Sequence, residues 1–215
     1  MEHVAEGFFA AGEATAAVVG SAEVAAAWSG PSALAGYQVG ELAAHTLLAT
    51  ARTEAVLSEA APADPAVVDI IGFYAPNRLD DPSDIEVGLH PLIRAAAAET
   101  AGRGPEAVTG DLRGVLDRVR PALAAADPER LVSVVNVRHG FTPLATYLRT
   151  RVVELVVHGD DLAASVGLAY DVPRVAADVT LGVCVELARA RAGDLAVVRG
   201  FARRERATAD VLRVL

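Results

Sequence analysis

Five side chains along one stretch carry the most chemistry in this sequence: Arg151, Glu154, His158, Asp161 and Ser165. On a helix turning about 100° per residue they fall on one narrow stripe. Leu148, Val152, Val153, Leu155, Val156, Val157 and Leu162 fill most of the remaining circumference. Glu154 and His158 are spaced i, i+4, so their side chains project together and could share one metal ion. Asp161 sits one turn beyond His158, where a carboxylate can orient an imidazole. The other reading is that the stripe is simply the solvent face of an amphipathic helix. The wide apolar arc speaks for enclosure by neighbours, and enclosed charges need a metal or a network to offset their desolvation.

A further nitrogen donor stands in Glu41-Leu42-Ala43-Ala44-His45, where His45 lies beside Leu42, Leu48 and Ala49 at the border of a core face. It reads either as a ligand or as a satisfied boundary histidine. Glu41 fits as a first-turn carboxylate favoured by the helix dipole. Spacing alone does not show that the two helices face each other.

Composition narrows the chemistry. The chain has 215 residues, is 53% apolar and carries a formal net charge of −9. All 19 basic residues are arginines, which excludes a lysine Schiff base and a P-loop. Cys184 is the single cysteine, so an internal disulfide framework and a CxxC pair are excluded. A transition-metal site would therefore use histidine and carboxylate. Acidity argues against nucleic acid. Arg203, Arg204 and Arg206 read as a solvated turn or helix. Apolar stretches are interrupted by Glu13, Glu23, Glu154, Asp160 and Asp161, which argues against a membrane span. The N-terminus carries Glu2 and Glu6 instead of a basic region, and a cytoplasmic location is expected.

The elements that must hold these residues are helical, as alanine abundance and scarce aromatics predict. Helices are expected over about Glu2–Val19, Gln38–Glu59, Pro91–Ala101, Pro105–Ala125, Thr142–Val166 and Pro173–Gly193, with a short turn at Glu23–Trp28. Asp64 is expected to cap a short piece after Pro62. Thr142-Pro143 reads as a capping hydroxyl followed by proline at the first helical position. Tyr74–Pro91 reads as a surface crossover, Leu131–Val137 as a short extended piece, and Val211–Leu215 as a terminal extended segment after one more helical turn. The architecture expected is an all-α antiparallel four-helix bundle with a long crossover and small extra helices, a fold that holds metals between helices. Cys184 reads as a buried small hydrophobe. His139 stands just before the site helix as a pocket-rim residue or a plain loop histidine, and His3 and His90 read as surface residues.

The segments WSGPSALAGYQVGELAAHTL and YLRTRVVELVVHGDDLAASVGL resemble the metal-binding domain of mycothiol-dependent maleylpyruvate isomerases, within the DinB-like superfamily. The resemblance implies a His-Glu-His metal site at His45, Glu154 and His158, with Arg151, Asp161 and Leu162 completing the second motif. It also implies a divalent metal, most suitably zinc, and mycothiol as a thiol cosubstrate. The implied reaction is either isomerisation of a maleylpyruvate-like electrophile or thiol S-transfer. The family usually carries Pro-Gly-Trp and an Arg-Asp/Glu pair, where this chain has Ala35-Gly36-Tyr37 and Gly40-Glu41. Residues 1–215 are expected to form one metal-binding domain, acting as monomer or homodimer, without the C-terminal domain of the isomerases. Two other readings keep the bundle: a non-catalytic metal-binding or interaction protein, and a metal-dependent hydrolase.

Overall fold

The computed structural model describes residues 1–61, 63–75, 90–134, 140–206 and 210–215. Alanine-rich, amphipathic segments form the helices that the composition predicts: α1 (Glu2–Val19), α2 (Ala22–Ala26), α3 (Val39–Ser58), α4 (Ile70–Tyr74), α5 (His90–Ala101), α6 (Pro105–Ala125), α7 (Leu144–Ser165), α8 (Arg174–Ala192) and α9 (Asp194–Ala202). Four of them close a ring: α1 packs on α6 and α7, and α3 packs on the same two. Phe8, Leu42, Leu112, Leu148, Leu155 and Leu162 fill its interior. Helix α1 runs antiparallel to α6, and α3 antiparallel to α7. Gly20 lies beside Thr109 where α1 meets α6, while Glu13 pairs with Arg120 at 2.8 Å a turn or more away. Helix α5 covers α3, and α8 lies across α1 and α7.

A small sheet caps one end of α7. Its order is β1 (Ala66–Val67), β3 (Gly140–Pro143), β2 (Leu131–Val134), with β1 parallel and β2 antiparallel to β3. Two cap expectations change as a result. Thr142 is committed to β3, and its buried hydroxyl has no hydrogen-bond partner among the described residues, so it does not cap α7. Pro143 takes the N-cap place, and the first amides of α7 are satisfied by backbone: Leu144 N–H donates to Arg130 C=O at 2.8 Å and Ala145 N–H to Pro128 C=O at 3.0 Å. Asp64 does not cap the short piece either; Asp69 Oδ1 accepts from Gly72 N–H at 2.8 Å and starts α4.

The far end of α7 stops at Gly167, as expected, where φ is +72°. Leu168 N–H returns to Ala163 C=O at 2.9 Å and Gly167 N–H to Ala164 C=O at 3.4 Å, the paired bonds of a Schellman turn. The chain after α8 departs from expectation. Instead of an extended segment from Val211, α9 is followed by a 3₁₀ turn at Arg204–Arg206 and a turn at Asp210, and Val211 folds back onto Gly200. Arg203, Arg204 and Arg206 are exposed, as a solvated turn should be. Residues 76–89 of the expected crossover, 135–137 of the expected extended piece, and His139 lie outside the described residues.

Helices α1 and α7 approach closely at Gly159, next to His158. A Cβ there would lie 2.7 Å from both Thr15 Oγ1 and Tyr170 Cζ. Thr15 uses the proximity to donate to Leu155 C=O at 2.9 Å. Gly159→Ala is therefore expected to destabilise the fold by about 1–3 kcal/mol through overpacking. Gly182 lies on an open face of α8, where an added Cβ would have nothing within 4 Å. Gly182→Ala should instead add up to about 1 kcal/mol from helix propensity. Urea unfolding of the two variants against wild type checks the pair.

Candidate metal centre

Antiparallel packing of α3 on α7 brings His45 opposite the polar stripe. His45 Nε2 lies 3.6 Å from Glu154 Oε2, and His158 Nε2 lies 3.3 Å from the same oxygen. One ligand atom from each of the three residues falls within 4.8 Å of the others. The imidazoles stand edge to face with centroids 5.0 Å apart. Donors about 2.0–2.2 Å from a tetrahedral zinc are separated by about 3.3–3.6 Å, so the two measured separations suit such an ion. His45, Glu154 and His158 side chains are 17%, 26% and 15% exposed, which leaves one side open to solvent.

The supporting contacts follow the stripe. Asp161 Oδ2 lies 3.2 Å from His158 Nδ1, the ring nitrogen turned away from Glu154. Arg151 reaches Glu154 Oε1, the carboxylate's other oxygen, at 3.7 Å. The Arg151 guanidinium also donates from Nε to Thr150 Oγ1 at 3.1 Å and from a terminal nitrogen to Ala49 C=O at 3.5 Å. Its carbon stands 5.1 Å over the Tyr147 ring. Ser165 Oγ donates to Asp161 C=O at 2.5 Å. All five residues of the stripe thus line the same side of α7, and His45 joins them from α3.

Electrostatics hold the cluster charged. Burial pushes the Glu154 carboxyl toward neutrality, yet hydrogen bonds from His158 and His45 and the charge of Arg151 prevail and hold it well below the usual carboxylate range. Burial likewise works against a charged His158, but its bonds to Asp161 and Glu154 win and raise it to about 9. Burial opposes the Arg151 cation too, and Tyr147, Glu154 and Tyr74 outweigh it and raise the guanidinium above its ordinary value. His45 Nδ1 is buried with no hydrogen-bond partner among the described residues.

Several contributors carried little sequence signal. Tyr147 precedes Arg151 by one turn and Tyr74 comes from α4; both hydroxyls are buried, and Thr53 stands beside that of Tyr147. Burial, chiefly, raises both phenols above their ordinary range. Tyr147 was legible only as an apolar residue at helical spacing, and Tyr74 sits beside a segment with no periodic pattern. Glu41 acts as a cap, accepting from Gln38 N–H at 2.8 Å. Cys184 is half-buried, not fully buried as expected; burial pushes its thiol up, and it lies outside the cluster of candidate ligands.

With this geometry in place, comparison with known proteins bears on what the cluster is. The family model for the mycothiol maleylpyruvate isomerase N-terminal domain matches residues 8–163, well over half the chain and inclusive of His45, Glu154 and His158. The chain belongs to this family. The match runs from Phe8 in α1 to Ala163 in α7 and so reaches all four helices of the ring, and the helical, DinB-like architecture expected from the sequence stands, with the small sheet added. No curated protein and no solved structure matches the chain. No helix among the described residues is long and apolar enough to cross a membrane.

The charged state of His158 has a measurable signature in metal-free protein. Its folded value of about 9 lies above the ordinary value of 6.5. The stability it contributes is therefore present in full below about pH 6.5 and lost as pH rises through about 9. NMR titration of chelator-treated protein should place the His158 midpoint near 9, and Asp161→Asn should lower it. An unchanged midpoint in the variant would remove Asp161 from this role.

Proposed function

We propose that the chain is a metal-dependent enzyme that uses mycothiol as a thiol cosubstrate, with His45, Glu154 and His158 as the ligands of a divalent ion, most suitably zinc. The observation carrying this reading is the convergence of two imidazole nitrogens on one carboxylate oxygen, on the partly exposed side of a bundle whose family is named for mycothiol. The donor set supports the fit: nitrogen and carboxylate oxygen ligands are those zinc takes in catalytic sites, and three protein ligands leave a position open. Family membership rests on an N-terminal domain, so the reaction itself belongs to the proposal.

When bound, such an ion lowers the pKa of a thiol or water and supplies a nucleophile at neutral pH. The rest falls to the chain. Asp161 accepts from His158 Nδ1 and so leaves Nε2 as the donor facing the centre. Arg151 engages the outer carboxylate oxygen and leaves Oε2 for the shared position. The thiolate sulfur of mycothiol would add to an activated alkene carbon and move electron density onto the conjugated carbonyl. Rotation about the resulting single bond and expulsion of the thiolate would return the isomerised alkene. Addition without expulsion, with a proton taken up at carbon, would be S-transfer. Scarcity of nucleophiles in the chain agrees with a borrowed thiol: there is no lysine, and Cys184 stands apart from the cluster. The reaction is assigned to the cytoplasm, and its substrate to the class of small electrophiles.

Two measurements test the reading. Purified wild type should bind one zinc per chain by metal analysis, and His45→Ala and His158→Ala should each lower affinity by more than the about 10–100-fold typical of losing an outer partner of a ligand. Zinc-loaded protein should consume mycothiol, or isomerise a cis-enone acid in its presence, and Glu154→Gln should abolish this. Wild type without stoichiometric metal would overturn the proposal. Metal binding without any thiol-dependent turnover would favour a binding protein, and turnover of esters or amides without thiol would favour a hydrolase.

A further inference from the structure

The loop before α3 reaches the cluster, and its last aromatic residue leans on a candidate ligand. Tyr37 places its ring 5.8 Å from the His45 ring, tilted by 55°. The loop is fixed in several ways. Ser32 N–H donates to Tyr37 C=O at 3.0 Å, and Ser32 Oγ donates to the same carbonyl at 2.9 Å. Gly36, at φ +81°, makes the turn into Tyr37. At the loop's start Trp28 lies flat against Gly40, where any Cβ would come within 2.5 Å of the indole, and its Nε1 donates to Ala101 C=O at 3.1 Å.

The remaining tie reaches the metal helix itself. Ala33 N–H donates to Ser165 Oγ at 2.8 Å, and Ser165 Oγ in turn donates to Asp161 C=O at 2.5 Å. Asp161 is the residue that engages His158. One continuous chain of bonds therefore connects the loop holding Tyr37 against His45 with the helix holding His158. The phenol sits half-buried, in the fields of Arg94 from α5 and of Glu154 and Glu41. A phenol hydroxyl is a donor at neutral pH, and Tyr37 is the residue of this loop whose ring contacts a candidate ligand.

We propose that Tyr37 contacts the cosubstrate, donating a hydrogen bond from its hydroxyl to the thiolate sulfur at the open side of the centre, and that Ser165 is the positioning residue that holds its loop there. The proposal rests on the metal-centre reading above. A hydrogen bond to a charged acceptor is stronger than one between neutral groups, so the hydroxyl discriminates between thiolate and a neutral occupant.

The test uses cobalt(II)-loaded protein titrated with mycothiol, following the thiolate-to-cobalt charge-transfer absorption. Tyr37→Phe should weaken mycothiol binding by about tenfold or more, the order expected for one charge-assisted bond, while cobalt affinity stays as in wild type. Ser165→Ala should weaken mycothiol binding without changing cobalt affinity, and Ser165→Thr, which keeps the hydroxyl, should restore it. Equal mycothiol affinity in wild type and Tyr37→Phe would overturn this proposal and leave the metal centre intact. Parallel loss of cobalt and mycothiol affinity in Tyr37→Phe would also overturn it, by making Tyr37 a support of the ligands. Failure of wild type to bind cobalt would remove the metal-centre reading and this proposal with it.

Discussion

The carboxylate of Glu154 is the constraint around which the molecule is arranged. It stands in the middle of a helix whose flanking positions, Val153 and Leu155, are core residues. An ionised carboxyl there costs several kcal/mol of desolvation unless positive or donor groups meet it. Two imidazoles meet one oxygen, and a buried arginine meets the other. Those partners come from different places, and each imposes a demand on the fold. His158 and Arg151 need only that α7 be helical. His45 needs α3 antiparallel to α7 in one register, the register that also sets Ala49 C=O against the Arg151 guanidinium.

That register is held by packing remote from the charges. Gly159 lets α1 approach α7 until Thr15 bonds the Leu155 carbonyl, and Tyr170 closes over the same point with a 3.0 Å contact to Thr15. Gly40 lets Trp28 lie on the first turn of α3 and tie it to the end of α5. At the opposite end, Arg52 of α3 bonds both Glu59 and Ser133, and so joins the helix to the small sheet from which α7 departs. Small residues at contacts and polar ties at helix ends thus position a cluster to which none of them adds a candidate ligand.

Much of this was legible in the sequence, for reasons that differ by element. Helices α1 and α6 run Glu2–Val19 and Pro105–Ala125, the bounds expected from alanine content, Gly20 and the Pro105 start. The stripe on α7 was legible because spacing fixes which side chains share a helix face. The facing of His45 was not, since pairing of helices depends on contacts far apart in the chain; only the family resemblance pointed to it. Thr142 and Asp64 misled because a capping residue type was read without the strand pairing and the neighbouring Asp69 that compete for the place. β1 and β3 are too short to show alternation. Ser29-Gly30-Pro31-Ser32, leading to Tyr37, carries only loop residue types, and the tie to Ser165 spans a separation no local pattern encodes.

Zinc K-edge X-ray absorption of the zinc-loaded protein tests most directly whether His45, Glu154 and His158 bind one ion and leave a position for sulfur. The expected spectrum has only nitrogen and oxygen neighbours at about 2.0–2.2 Å with the outer-shell pattern of two imidazoles, and gains one sulfur at about 2.3 Å once mycothiol is added. A sulfur neighbour before any thiol is added, or a spectrum without imidazole, would contradict it.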